Sequence, residues 1–212
     1  MNESVKTPGT ESEYLLEVNN LVKWFPIKSS FFKRTVGNVK AVDGVSFKIR
    51  RSETMGLVGE SGCGKSTCGR TILRLQEKTS GDVIFDGQDV FALSREELRK
   101  LRPRMQIVFQ DPYSSLNPRL RIENTVIEPL KMSGRFKSRA ELKGEANKLM
   151  ELVGIDERLR EAYPHELDGG RRQRVGIARA IALNPKFVVC DEPVSALDVS
   201  IQAQVLNLLM DL

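Results

Sequence analysis

Residues Gly59-Glu60-Ser61-Gly62-Cys63-Gly64-Lys65-Ser66-Thr67 fit the pattern G-x-x-x-x-G-K-[ST]. Few short patterns restrict a fold more. The stretch before it, Thr54-Met55-Gly56-Leu57-Val58, is mostly apolar and predicts a buried strand. The stretch after it, Ser66 to Leu75, predicts a helix with Ile72, Leu73 and Leu75 as its apolar positions. Strand, glycine loop and helix together form a cradle for a polyphosphate. Gly59, Gly62 and Gly64 let the backbone turn tightly and bring N–H groups up to an anion. The positive end of the helix dipole points to the same place. Lys65 adds a full charge, and the Ser66 hydroxyl suits one position on Mg²⁺. The bland alternative, a glycine turn with a chance lysine, is disfavoured by the flanking pattern.

The chain has 212 residues, enough for one sizeable domain or a core with a subdomain. Apolar residues are 40% and charged residues 29%, a soluble globular composition with no run long enough to cross a bilayer. Met1 to Ser12 is polar, lacks the apolar centre of a signal peptide and reads as a disordered tail. The net charge of +5 fits phosphate ligands or an anionic membrane surface only weakly, and an ordinary solvated surface is the favoured reading. Cys63, Cys68 and Cys190 show no metal spacing, which points to reduced thiols in the cytosol.

Leu15 to Val18 and Val45 to Ile49 read as strands, with Pro26 to Val39 as a basic loop between them. Its Phe31-Phe32-Lys33-Arg34 admits a nucleic-acid or membrane patch, against a solvated loop as the plainer reading. Gly81 to Phe85 reads as a strand closed by an Asp86-Gly87 turn. Ser94 starts a short charged helix to about Leu101, and Met105 to Phe109 reads as a strand ending at Gln110. Asp111 to Pro118 is turn chemistry, and the chain then reads as helical to about Tyr163. Within that span Ser138-Arg139-Ala140-Glu141 is a capping box. Leu142, Ala146, Leu149, Met150 and Val153 follow at helical spacing, and Gly154 suits the stop. A last helix starts near Ser200.

Phe187-Val188-Val189-Cys190 is a short apolar strand that runs into Asp191-Glu192. In open parallel sheets, ligands sit at the carboxyl ends of strands. Asp191 is therefore placed to hold a Mg²⁺ shell, and Glu192 to act as general base on an attacking water. The alternative is an acidic strand-to-loop corner with no ligand.

The combination resembles the nucleotide-binding subunit of an ABC transporter of the oligopeptide/dipeptide importer type. Tyr163 through Leu167-Asp168-Gly169-Gly170-Arg171-Arg172-Gln173-Arg174 to Ala180 is similar to the family signature and its helix. Gln110 is similar to the glutamine loop, and Ser195-Ala196-Leu197-Asp198 to the loop after the catalytic acid. The resemblance covers roughly residues 14 to 212. It implies an α/β P-loop NTPase fold, with a RecA-like core, an antiparallel β subdomain and a helical signature subdomain. The expected division is a tail over 1–12, an ATP-binding core over 13–110 and 186–212, and a helical subdomain over 111–185.

By the same resemblance, Gly59 to Thr67 and Gln110 bind ATP, with Phe25 stacking on adenine and Trp24 as the alternative. Phe25 could instead be a core aromatic at a strand edge. Lys65 and Glu192 are the catalytic residues, and Ser66, Gln110 and Asp191 serve Mg²⁺. Two such subunits, identical or different, pack head to tail. The signature Asp168, Gly169, Gly170 and Arg171 of one then meets the phosphate held by the other, and Ser195 to Asp198 line the dimer. Membrane permease subunits are direct partners, a solute-binding protein is an indirect one, and nucleic acid is not a partner. The expected place is the cytoplasmic face of the membrane.

Two departures qualify this. Asp168 stands where the family has serine, and Arg171 where it has glutamine. Both serine and aspartate cap helices well. A carboxylate 4 Å from a phosphate charge, however, repels it by ~4 kcal/mol at a surface-like dielectric. Pairing of Asp168 with Arg171 would relieve this, and Arg171 would then also reach the phosphate. Arg171, Arg172 and Arg174 lie on one helix turn, where a solvated arginine face is the alternative for at least two. The family's switch histidine follows a strand beyond Leu212, and the one histidine, His165, is not that residue. The 212-residue chain is accordingly expected to bind ATP weakly and hydrolyse it poorly. Two other readings remain open. One is a weakly active or non-hydrolysing partner subunit, favoured by Asp168 and Arg171. The other is a nucleic-acid-associated ABC ATPase, disfavoured by the short spacing from loop to signature and the single domain.

Overall fold

The computed structural model describes residues 13–29, 34–195, 197 and 199–211. Residues 1–12, Ser30 to Lys33 of the basic loop, Ala196, Asp198 and Leu212 lie outside the described residues. The chain divides into two compact units, Met1–Leu98 and Arg99–Leu212.

In the first unit, β1 (Tyr14–Lys28) is flanked by β2 (Thr35–Arg50) and β3 (Ser80–Phe85). A short β4 (Gln88–Asp89) completes an antiparallel sheet of order β2-β1-β3-β4. Leu16 faces Phe85 and Val18 faces Val83 across the ladder, and all four side chains are fully buried. Such same-face pairs hold a sheet together. Asp86 and Gly87 take φ of 49° and 78°, the two left-handed positions of a tight hairpin turn.

The basic loop expected over Pro26 to Val39 is largely strand. Phe25 pairs with Val39, Pro26 with Asn38, Ile27 with Gly37 and Lys28 with Thr35. Polar composition suggested a loop, but a two-stranded ladder is held by its backbone and can be wet on both faces. The strand expected over Thr54 to Val58 belongs to neither sheet, and Val58 is 93% exposed. Its apolar residues satisfy a strand pattern, but that pattern needs a neighbouring ladder to become one. Helix α1 (Lys65–Ile72) stops before Leu75. Arg74 takes φ 49°, and the N–H groups of Arg74 and Leu75 turn back to the carbonyls of Thr71 and Arg70. Arg74 Nη1 fixes the turn on the carbonyls of Val90 and Leu93 at 3.0 and 2.8 Å.

Helix α2 (Arg95–Leu101) spans the division between units. Ser94 and Glu97 cap it reciprocally through each other's backbone N–H.

In the second unit β5 (Met105–Val108) and β6 (Phe187–Cys190) form a parallel pair with Val108 opposite Cys190. Helices α3 (Pro112–Ser115), α4 (Ile122–Met132), α5 (Arg139–Leu152), α6 (Gly169–Ile181) and α7 (Val199–Asp211) accompany it. The expected stripe on α5 is the packing stripe: Ala146, Met150 and Val153 are fully buried against Ile122, Val126 and Ile177. Ser138 Oγ accepts from the Glu141 N–H, while the Glu141 carboxylate takes the N–H of Lys137 instead of completing the box. The turn that closes the helix is at Gly154, φ 69°, where the Ile155 N–H reaches the Met150 carbonyl at 2.8 Å. A methyl group on Gly154 would meet Arg174 Nη1 at 2.9 Å, so close approach as well as left-handed φ favours glycine there. No helix among the described residues is long and apolar enough to cross a membrane.

Candidate functional site

The glycine loop lies in the first unit. Gly64 caps α1 at φ 99°, and a Cβ there would sit 1.9 Å from the Ala41 carbonyl oxygen of β2. Glycine is thus required twice, by the left-handed backbone and by the contact. Lys65 Nζ donates to the carbonyls of Gly59 and Glu60, each at 2.9 Å, which brings its charge onto the loop rather than out into solvent. Gly59 to Cys63 are exposed and Gly64 to Thr67 half-buried. The loop therefore opens at its outer turn and is anchored at the helix. Cys68, one turn in, is buried, and burial pushes its thiol up to about 11.

The ladder connects this loop to the candidate adenine aromatic. Ala41, which touches Gly64, lies two residues along β2 from Val39, and Val39 is the cross-strand partner of Phe25. Phe25 is thus one cross-strand pair and two strand positions, with a bulge at Ala41, from the residue whose carbonyl meets Gly64. Phe25 is 37% exposed with Lys23 Nζ 4.6 Å above its ring, and is not a core aromatic. Trp24 is engaged instead: its indole N–H donates to Asp43 at 3.0 Å, and Lys40 lies over its ring.

In the second unit, the parallel register gathers three expected residues. Beyond the paired Val108 and Cys190, the Asp191 N–H donates to the Val108 carbonyl at 2.9 Å, and Asp191 is buried. Gln110 Nε2 donates to Glu192 Oε2 at 2.7 Å and approaches Ser195 Oγ at 3.4 Å. Ser195 Oγ in turn donates to the Glu192 carbonyl at 3.1 Å. Glu192 takes φ 44°, an uncommon conformation for a residue with a side chain. The Gln110–Glu192 contact had no signal in sequence, because 82 positions separate the two.

Asp168 caps α6, accepting from the Arg171 N–H at 2.7 Å, and its other oxygen lies 3.5 Å from Arg171 Nε. The substituted pair is therefore joined, with both side chains half-exposed. The arginines do not form a solvated face. Arg172 is buried, donates to the carbonyls of Pro164 and His165, and stacks 3.7 Å from the Tyr113 ring centroid. Arg174 joins the Val153 carbonyl and Gln204 Oε1, each at 2.8 Å. Sequence reasoning missed both roles. The Gly169-Gly170 pair packs beneath the start of α7. A Cβ on Gly169 would meet Leu197 at 3.4 Å, and one on Gly170 would meet Ile201 at 2.6 Å.

Residues 42–195 match the family model described as ABC transporter. The oligopeptide transport ATP-binding proteins AppF and OppF of Bacillus subtilis (strain 168) are 52% and 48% identical. The matches span 96% and 95% of this chain, and 62% and 64% of those proteins. The glutathione import ATP-binding protein GsiA of Pectobacterium atrosepticum is 49% identical over 97% of the chain and 33% of that protein. The chain thus spans about three fifths of the oligopeptide relatives' length. Among solved structures, the dimeric ATP-binding cassette MJ0796 in a post-hydrolysis state with ADP and Pi superposes with a TM-score of 0.81. It is 31% identical, with 92% of this chain and 81% of that one covered. Loop, strand-end carboxylates and signature helix recur in one chain together with this match, and the protein belongs to the ABC transporter family.

Proposed function

We propose that the chain is the ATP-binding and ATP-hydrolysing subunit of an ABC importer that powers peptide uptake through a membrane permease. The observation that carries it is Gly64, held left-handed against Ala41 so that Lys65 and the α1 N-terminus converge on one loop. The names of relatives at about half identity support the peptide class.

In this reading Gly59 to Thr67 hold the phosphates, with Glu60, Ser61 and Cys63 contributing backbone N–H groups, and Phe25 stacks on adenine. Mg²⁺ is held by few protein oxygens and shares substrate phosphates. The Ser66 hydroxyl of the glycine loop, and the Gln110 amide oxygen and Asp191 carboxylate beyond β5 and β6, are each of the donor type such an ion takes, directly or through water. Bound there, the ion would offset charge building on the phosphoryl oxygens. Glu192 takes the proton of the attacking water, and its bond to Gln110 orients the carboxylate. Lys65 compensates charge on the transferring group.

Hydrolysis in this family class is mainly positioning, and the proposed closure is a head-to-tail pair of subunits. Asp168, Gly169, Gly170 and Arg171 of one subunit would then face the phosphates of the other, with Ser195 to Asp198 at the joint. Asp168 is paired with Arg171 at 3.5 Å, so it does not stand as an isolated carboxylate. Residues 13–110 with 186–212 serve as the nucleotide core and 111–185 as the signature subdomain. Permease subunits place the protein at the cytoplasmic face of the membrane, and a solute-binding protein acts through them. The test is sedimentation of a Glu192→Gln chain with native flanking sequence. Dimer with ATP and Mg²⁺, and monomer with ADP, is the expected result. A monomer with both would overturn the reading.

A further inference from the structure

The distal end of the β1–β2 hairpin is chemically unlike the rest of the sheet. No Asp or Glu occurs between Glu17 and Asp43, whereas Lys23, Lys28, Lys33, Arg34 and Lys40 do. Elsewhere on these strands Lys40 pairs with Asp43, Lys48 with Glu17 and Arg50 with Glu13, while Lys23 lies over the Phe25 ring. At the distal end Lys28 and Arg34 are exposed, and among the described residues neither side chain has a carboxylate partner. Both belong to the same end of the hairpin, because Lys28 pairs with Thr35 and the Ser29 N–H donates to the Arg34 carbonyl at 2.8 Å. Beside them stand two branched apolar side chains that no core covers, Ile27 at 46% and Val36 at 67% exposure. Ile27 lies across the ladder, with its Cδ1 3.8 Å from where a Cβ on Gly37 would be.

We infer that this hairpin end docks on an anionic phospholipid surface, with Lys28 and Arg34 against headgroup phosphates and Ile27 and Val36 in the headgroup–acyl boundary. Uncompensated cations beside exposed apolar groups match the two requirements of interfacial binding. The basic cytoplasmic loops of membrane proteins would repel the same charge. A nucleic acid would complement the cations but leave Ile27 and Val36 in water, since neither branched side chain offers a face on which a base stacks. The inference does not use Phe25 or the glycine loop and is independent of the nucleotide reading.

The test is co-sedimentation of the 212-residue chain with vesicles of phosphatidylcholine alone or with one third phosphatidylglycerol. Binding is expected only to the anionic vesicles, and it should fall steeply as salt rises from 0.1 to 1 M and the screening length shrinks from ~10 to ~3 Å. Lys28→Glu with Arg34→Glu should weaken it more than tenfold, given roughly fivefold per cation removed. Ile27→Ser with Val36→Ser should weaken it severalfold at unchanged salt slope. ATP binding by each variant, measured separately, should match the parent and report an intact fold. Equal binding to both vesicle types, unaltered binding by the charge variant, or displacement by an equimolar DNA or RNA oligonucleotide would each overturn the inference.

Discussion

Gln110 Nε2 lies 2.7 Å from Glu192 Oε2, joining the residue two beyond the end of β5 to the residue two beyond the end of β6. The parallel register makes them neighbours, since Val108 opposite Cys190 brings the next positions of both strands to one edge. A side-chain amide can orient a carboxylate without neutralising it. The bond therefore leaves Glu192 able to accept a proton while limiting where it points.

Glu192→Gln should retain ATP and lower turnover by roughly 10²–10⁴, the usual contribution of a general base. Gln110→Ala should lower turnover less, because the base persists with a less fixed orientation. Phosphate release and nucleotide binding, measured side by side, check both expectations. Full turnover by the first variant would remove Glu192 from the role of base.

The cap at Asp168 separates stability from charge. Asp168→Ala should cost about 1 kcal/mol, since the Arg171 N–H loses its acceptor. Asp168→Ser should be close to neutral, because serine caps as well and the half-exposed ion pair contributes at most ~1 kcal/mol. Urea denaturation of the three proteins decides this. Equal loss in both variants would mean that the ion pair, not the cap, stabilises α6.

Packing beneath the glycine pair should be reversible by a second substitution. Gly170→Ala places a methyl 2.6 Å from Ile201 Cγ2 and should destabilise by about 1–3 kcal/mol. Adding Ile201→Ala should recover part of that loss relative to the sum of the single changes. Strictly additive costs in the double-mutant cycle would show that α7 does not pack on Gly170.

Cysteine reactivity should divide the loop from the helix. In a Cys190→Ser background, Cys63 is exposed and should react with maleimide at neutral pH, whereas buried Cys68 should not. ATP with Mg²⁺ should slow the reaction at Cys63. Because burial raises the Cys68 thiol from 9.0 to about 11, the unfolded chain loses this proton first as pH rises. The stability linked to it is complete below pH 9 and declines towards pH 11. Cys68→Ala should flatten that part of the stability curve. A curve of unchanged shape would exclude Cys68 as its cause.

The glycine loop, the Asp191-Glu192 pair, the cap at Asp168 and the packing stripe on α5 were legible in the chain, because each follows from neighbours within a few residues. Local rules failed where pairing partners lie far away. Thr54 to Val58 has a strand's composition but belongs to neither sheet, while the basic stretch around Pro26 to Val39 became ladder because backbone pairing does not require apolar side chains. Three arginines one helix turn apart look alike in sequence. Burial assigned Arg172 to carbonyls and Tyr113, Arg174 to Val153 and Gln204, and left only Arg171 half in solvent. The chain alone determined which groups could meet a phosphate; the tertiary structure decided which were free to do so, because a buried guanidinium takes the acceptors that packing puts within its reach.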